Sequence, residues 1–207
     1  SCVMLLMSSL IGIIVSIYSL DYFGVRPSRA KPFVIPSGAM FWPLWMLLLS
    51  ALSALFLSGD IFNLYVTLEL MTLTAVGLIA LAEGAATIQA AMRYLFAALT
   101  GSMFYFLAVS VLYGKFGMLD LRLLAMAVES ESSAAEPALK TALLLMMTGL
   151  MLKSALFPFH FWLAPAHSAA PAPASAVLSG LVVKGSFYIL LRFWFELCPP
   201  ALTLQAG

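Results

Sequence analysis

Three ionisable side chains lie inside long apolar runs: Glu69 in IFNLYVTLELMTLTAVGLIA, Lys153 in ALLLMMTGLMLKSALF, and Lys184 in AVLSGLVVKGSFYILL. Burial favours the neutral form of each group, whereas a nearby opposite charge favours the ionised form. A lysine beside a glutamate therefore holds its proton according to how close the carboxylate is, which is what a proton carrier requires. Each charge at the centre of a membrane helix costs roughly 2.5–3.5 kcal/mol on the insertion scale, so three of them need partners or water. A structural ion pair that fixes helix packing would account for one glutamate and one lysine. It leaves Lys184, which has no carboxylate in its own or neighbouring apolar stretches.

His160 and His167 flank the segment HFWLAPAH, and imidazole, with an unperturbed pKa of about 6.5, suits a relay between amines. Both could equally sit at an interface and cap broken backbone. With no carboxylate or cysteine beside them they do not make a metal site, and no metal is expected. Pro158, Pro165, Pro171 and Pro173 read as a helix break, because proline lacks the amide proton and clashes with the preceding turn. Backbone freed at membrane depth must be buried in protein or line a wet cavity.

The elements that hold these groups follow from composition. The 207 residues are 63% hydrophobic and 9% charged, with a mean hydropathy of +1.06. A soluble domain carries about 25% charged residues, so the chain is read as an all-α integral membrane protein. A net charge of +1 gives no sign of nucleic acid, and Cys2 and Cys198 lack metal-like spacing. No Walker loop, dinucleotide glycine fingerprint or iron–sulfur cysteine set is present, so neither cofactor nor redox or hydrolytic chemistry is expected in this chain.

At about 20 residues per crossing, six spans are expected. They are about Cys2–Leu20, Ala39–Leu57, Ile61–Ala82, Tyr94–Gly114, a fifth from Lys140 interrupted at Pro158, and Ala174–Phe195. A polar loop is expected around Glu83–Arg93, and LDLRLLAMAV reads as an amphipathic surface helix. Arg26, Arg29 and Lys31 favour a cytoplasmic first loop. Glu69 and Lys184 fall near mid-membrane. Lys153 does too, provided that HFWLAPA continues its helix so that the crossing runs from Lys140 to Ala166. Both ends of the chain read as cut, so it is taken as part of a longer protein.

The segments SGDIFNLYVTLELMTL, MRYLFAALTGSMFYFLAVSVLYGKFGMLDL and KSALFPFHFWLAPAHSAAPAPASAVLSGLVVKGSFYILLR resemble the antiporter-like membrane subunits. That family includes the D-type subunits of multisubunit cation/proton antiporters, the L/M/N-type subunits of NADH–quinone oxidoreductase, and membrane-bound hydrogenase relatives. The resemblance implies a leading helix and basic loop over residues 1–38, one five-helix repeat of an inverted-repeat fold over 39–196, and the start of a further segment over 197–207. It implies that Glu69 pairs with Lys153, that a proton or cation passes to Lys184, and that His160 and His167 lie along or beside the route. It implies a cytoplasmic opening, other integral membrane subunits as partners, and a bacterial inner membrane, with Na+ or K+ left open as the exchanged cation. The chain departs from the family pattern at WLAPAH, where WLPDAH is usual, so Pro165 replaces an aspartate. The expected function is proton or cation/proton translocation through a half-channel. A quinone-coupled subunit of a dehydrogenase or hydrogenase complex, or a pure membrane scaffold, are the alternatives.

Overall fold

The computed structural model describes residues 2–25, 37–82, 84–130 and 137–197. The basic loop with Arg26, Arg29 and Lys31, the acidic Glu83, Glu131 and Glu136, and the segment 198–207 lie outside them. Among the described residues the chain is helical, and five unbroken helices are long and apolar enough to cross a membrane. These are α1 (Cys2–Val25), α2 (Ser37–Leu57), α3 (Ile61–Ala80), α4 (Ala85–Phe116) and a last one at Ala172–Glu196. Between α4 and the last helix lie α5 (Leu121–Ser130), α6 (Pro137–Lys153) and the short α7 (Leu163–Ala169). The last helix is α8, which runs through a π turn at Leu178–Val182. The sixth crossing is the interrupted one, α6 followed by α7, as the prolines suggest.

Two boundaries differ from the sequence expectation. Residues 85–93 are not a loop but the first turns of α4, which at 32 residues is about 48 Å long. AATIQAAMR is built of strong helix formers, and its Thr87, Ala90 and Ala91 are buried. The second difference is that α6 stops at Lys153, five residues before Pro158. Ala155 takes a left-handed conformation (φ 51°), the Leu156 amide donates to the Met151 carbonyl at 3.1 Å, and the Ala155 amide donates to Leu152 at 3.3 Å. This is a Schellman stop with alanine where glycine is usual. The Phe157–Pro158 peptide that follows is cis.

The core lies between α2, α3, α4, α6 and α8, and holds Trp45, Trp162, Tyr105, Phe41, Phe56 and Phe193 fully buried. A close backbone approach joins α4 to α6 at Gly101 and Gly149. A Cβ on Gly101 would sit 2.8 Å from the Gly149 carbonyl oxygen, so only glycine fits the crossing. The peripheral α1 is pinned to α2 by the Trp45 indole, which donates to Ser16 Oγ at 2.9 Å, and by Phe23 against Phe41.

Where α2 ends and α3 begins, the bundle is closed by paired caps. Asp60 accepts from the amides of Phe62 and Asn63 at 2.8 Å, and Asp120 does the same for Arg122 and Leu123 at the start of α5. The two caps are joined by Ile61 N to Leu119 O and Leu121 N to Gly59 O, both at 2.9 Å. Arg192, near the end of α8, donates to the Ser58 carbonyl at 2.8 Å. Each α helix needs its first amides satisfied, and here the same residues also tie three helix ends together.

Candidate functional site

Lys153 is the last residue of α6 and points into the bundle, 4% exposed. Its Nζ donates to Thr72 Oγ1 on α3 at 3.0 Å. Glu69, one turn earlier on α3, has Oε1 at 3.9 Å from the same nitrogen, with 18% of its side chain exposed. At that distance the pair attracts through charge and not through a direct hydrogen bond. Glu69 Oε1 is buried and has no hydrogen-bond partner among the described residues. The spacing of 69 and 72 explains the arrangement, because residues three apart share a helix face. Both therefore meet the one amine that α6 delivers where it stops.

Thr72 is the member of this group that the sequence does not set apart, since a threonine in an apolar run is expected to bond to its own helix. Its hydroxyl donates to the Leu68 carbonyl at 2.9 Å, as threonines in apolar helices commonly do. That leaves its oxygen lone pairs for neighbours, and Lys153 uses one of them. Tyr94 is buried on α4. The Tyr94 ring stacks on Trp162 with centroids 4.5 Å apart, and the Trp162 indole N–H donates to the Leu152 carbonyl at 3.0 Å. Trp162 thus adds a second donor to a carbonyl at the end of α6.

The other predicted residues lie around this centre. Lys184 is exposed on α8, and its Nζ donates to the Ser179 carbonyl at 2.5 Å, inside the π turn. It borders an apolar cavity of about 200 Å³ lined by Met4, Ser8, Ile11, Phe56 and Gly180 among others. It is not part of the Glu69–Lys153–Thr72 group. His167, on α7, contacts Ser175 Oγ through Nδ1 at 2.9 Å, bridging α7 to α8, and lies within electrostatic reach of Lys184. His160 is exposed and stacks on Phe157. Pro158 lies in the break, whereas Pro165 occupies the first turn of α7. Pro171 and Pro173 start α8, where a missing amide costs nothing. No cluster of metal-binding side chains occurs among the described residues.

Residues 58–203 match the family model described as NADH:quinone oxidoreductase/Mrp antiporter, TM. The chain belongs to this family. It is 34% identical over 94% of its length to NADH-quinone oxidoreductase subunit N of Desulforudis audaxviator, covering 38% of that protein. It is 29% identical over 91% of its length to the D-type Na(+)/H(+) antiporter subunit of Bacillus subtilis, covering 36% of it. Hydrogenase-4 component B of Escherichia coli is 30% identical over 95% of this chain and 28% of that one. The chain thus spans about a third of the length of these curated relatives.

Among solved structures, the Mrp complex from Dietzia sp. DQ12-45-1b matches with a TM-score of 0.77 at 23% identity, over 92% of this chain and 34% of that one. Respiratory complex I from Thermus thermophilus matches with a TM-score of 0.65 at 22% identity, over 89% of this chain and 39% of that one. The fold is therefore that of the antiporter-like membrane subunits, and the protein is a multi-pass membrane protein.

Proposed function

We propose that this chain forms the proton-loading half of a cation/proton-translocating membrane subunit. The observation that carries this reading is the Lys153 amine. It is buried at the broken end of α6, held by Thr72 at 3.0 Å and faced by Glu69 at 3.9 Å. A carboxylate that close stabilises the ammonium, and movement of either group changes what the lysine can hold. The helix interruption lets Lys153 move without unwinding a continuous helix. Lys184 then serves as the onward acceptor, exposed towards whatever packs on the face of α8, with His167 between α7 and α8 as a second proton carrier.

On this reading residues 39–196 form the transporting repeat, preceded by a leading helix and basic loop in 1–38 and followed from 197 by a further segment. The partners are other integral membrane subunits, and the membrane is a bacterial inner membrane. The transported ions are protons, exchanged for Na+ or K+ where the complex is an antiporter. The bacterial relatives named for antiport, quinone reduction and hydrogenase function support the class and leave the energy source open.

The test is proton uptake by membrane vesicles carrying the intact complex, followed by a pH-sensitive dye. Lys153→Met should lower flux per assembled complex by at least tenfold, within the range that a single proton-transfer group contributes. Wild-type flux in that variant would end the half-channel reading.

A further inference from the structure

At the end of the bundle where α4 begins, a cavity of about 490 Å³ opens between the chain just past α3, the first turns of α4, and α7. Its walls fix its depth. At 20 residues α3 is about 30 Å long, which is the thickness of the apolar layer of a bilayer. Ala82, just past the end of α3, therefore lies where that layer gives way to headgroups. Arg93 borders the same cavity as Ala82, so it stands at that level, with the first turns of α4 beyond it.

Three features of α4 converge on this space. The N-cap, Gly84, brings no side-chain hydrogen bond to the first amides, those of Ala85, Ala86 and Thr87. Thr87 is only 6% exposed and borders the cavity, yet its hydroxyl has no hydrogen-bond partner among the described residues. Thr67, Thr72, Thr74 and Thr100 each bond a carbonyl one turn earlier in their own helix, and Thr87 does not. A Cβ placed on Gly84 would lie 3.9 Å from Thr87 Oγ1, so the hydroxyl is turned towards the start of the helix. Arg93 is exposed, borders the cavity and makes no ion pair among the described residues. It stands seven residues beyond Ala86 on one face, about 10 Å along the axis, and helix side chains lean towards the N-terminus. Guanidinium and amides thus bracket the space.

What gathers here is a set of donors around positive charge. Ser168, on the α7 side, has its proton committed to the Pro165 carbonyl. A group with several acceptor oxygens and negative charge matches such a set, as helix N-termini and arginine match phosphate. The volume lies within the ~300–1,000 Å³ of small-molecule sites. Depth selects the source, because this is the level at which lipid phosphates lie. We propose that the cavity holds the phosphate of an anionic membrane phospholipid, with Arg93, the Thr87 hydroxyl and the first amides of α4 as donors. The inference needs no proton path and stands apart from the half-channel reading.

The test is saturable binding of fluorescent phosphatidylglycerol to the intact complex, purified in detergent and stripped of lipid, with assembly checked by copurification of the partner subunits. Arg93→Gln and Thr87→Val should each weaken binding at least fivefold, while Thr87→Ser stays within twofold of wild type. Phosphatidylcholine, which carries no net charge, should bind wild type at least fivefold more weakly. Arg122→Gln removes an exposed charge on α5, at the other end of the bundle, and should leave affinity within twofold. Wild-type affinity in either Arg93→Gln or Thr87→Val overturns the site, and so does an equal loss in Arg122→Gln. Inorganic phosphate, titrated alone by calorimetry, separates the sources. Phosphate binding that needs Arg93 and Thr87 but does not yield to phosphatidylglycerol would make this a site for a free anion and overturn the lipid.

Discussion

Lys153 is a buried charge whose surroundings pair it without locking it. Thr72 accepts from it at 3.0 Å, and Glu69 waits at 3.9 Å with Oε1 accepting no hydrogen bond from the described residues. If the role of this group were only to hold α3 against α6, any cation of similar reach would serve. Arginine separates the two roles, because guanidinium remains charged and cannot release its proton. Lys153→Arg should therefore assemble to at least half the wild-type level and still lose flux at least tenfold, measured by copurification and dye-monitored uptake in the same vesicles. Normal transport with arginine would make the site an ion pair and nothing more. Glu69 and Lys153 were legible in the sequence because a charge in an apolar run has few explanations. The contact of Thr72 with Lys153 was not. A threonine bonded to its own helix looks the same whether or not a lysine also reaches it.

At the scale of elements, the site depends on how α6 ends and on how closely it lies against α4. The prolines pointed to an interruption, yet the helix stops earlier, at an alanine held at φ 51°. Nothing in the sequence marks that position, since glycine is the residue that signals such a stop. Left-handed backbone costs a non-glycine residue about 1–2 kcal/mol. Ala155→Gly should raise stability by about 1 kcal/mol, read as a later midpoint in detergent-induced unfolding, with flux unchanged. The neighbouring contact has the opposite sign. A Cβ on Gly149 would press on the Gly101 carbonyl oxygen and lie 3.1 Å from the Tyr105 amide, and backbone cannot swing aside. Gly149→Ala should cost about 1–3 kcal/mol, the usual range for overpacking. The same unfolding titration would show an earlier midpoint, and an unchanged midpoint would mean that α4 and α6 part more easily than their contact suggests. Which two glycines meet across helices is not visible in the sequence, because spacing along one helix does not register it on another.

Across the whole molecule the two ends differ in kind. At the end where α4 begins lies a polar cavity bordered by Thr87, Arg93 and Pro165. The other is closed by the Asp60 and Asp120 caps, their two mutual backbone bonds and Arg192 on the Ser58 carbonyl. Five crossings could be counted from hydropathy, since each of those apolar runs is long enough to span. The closure could not, because an aspartate before an apolar run announces one cap and says nothing about a second cap beside it. If the closed end is a clamp, damage to it should appear in stability alone. Loss of a capping aspartate costs typically about 1 kcal/mol. The two caps share a bridge, so their losses need not add. Asp60→Ala with Asp120→Ala should then lower stability by about 1–2 kcal/mol in the unfolding titration, while flux per assembled complex stays within twofold of wild type. A drop in flux as deep as that of Lys153→Met would place these carboxylates on the proton path.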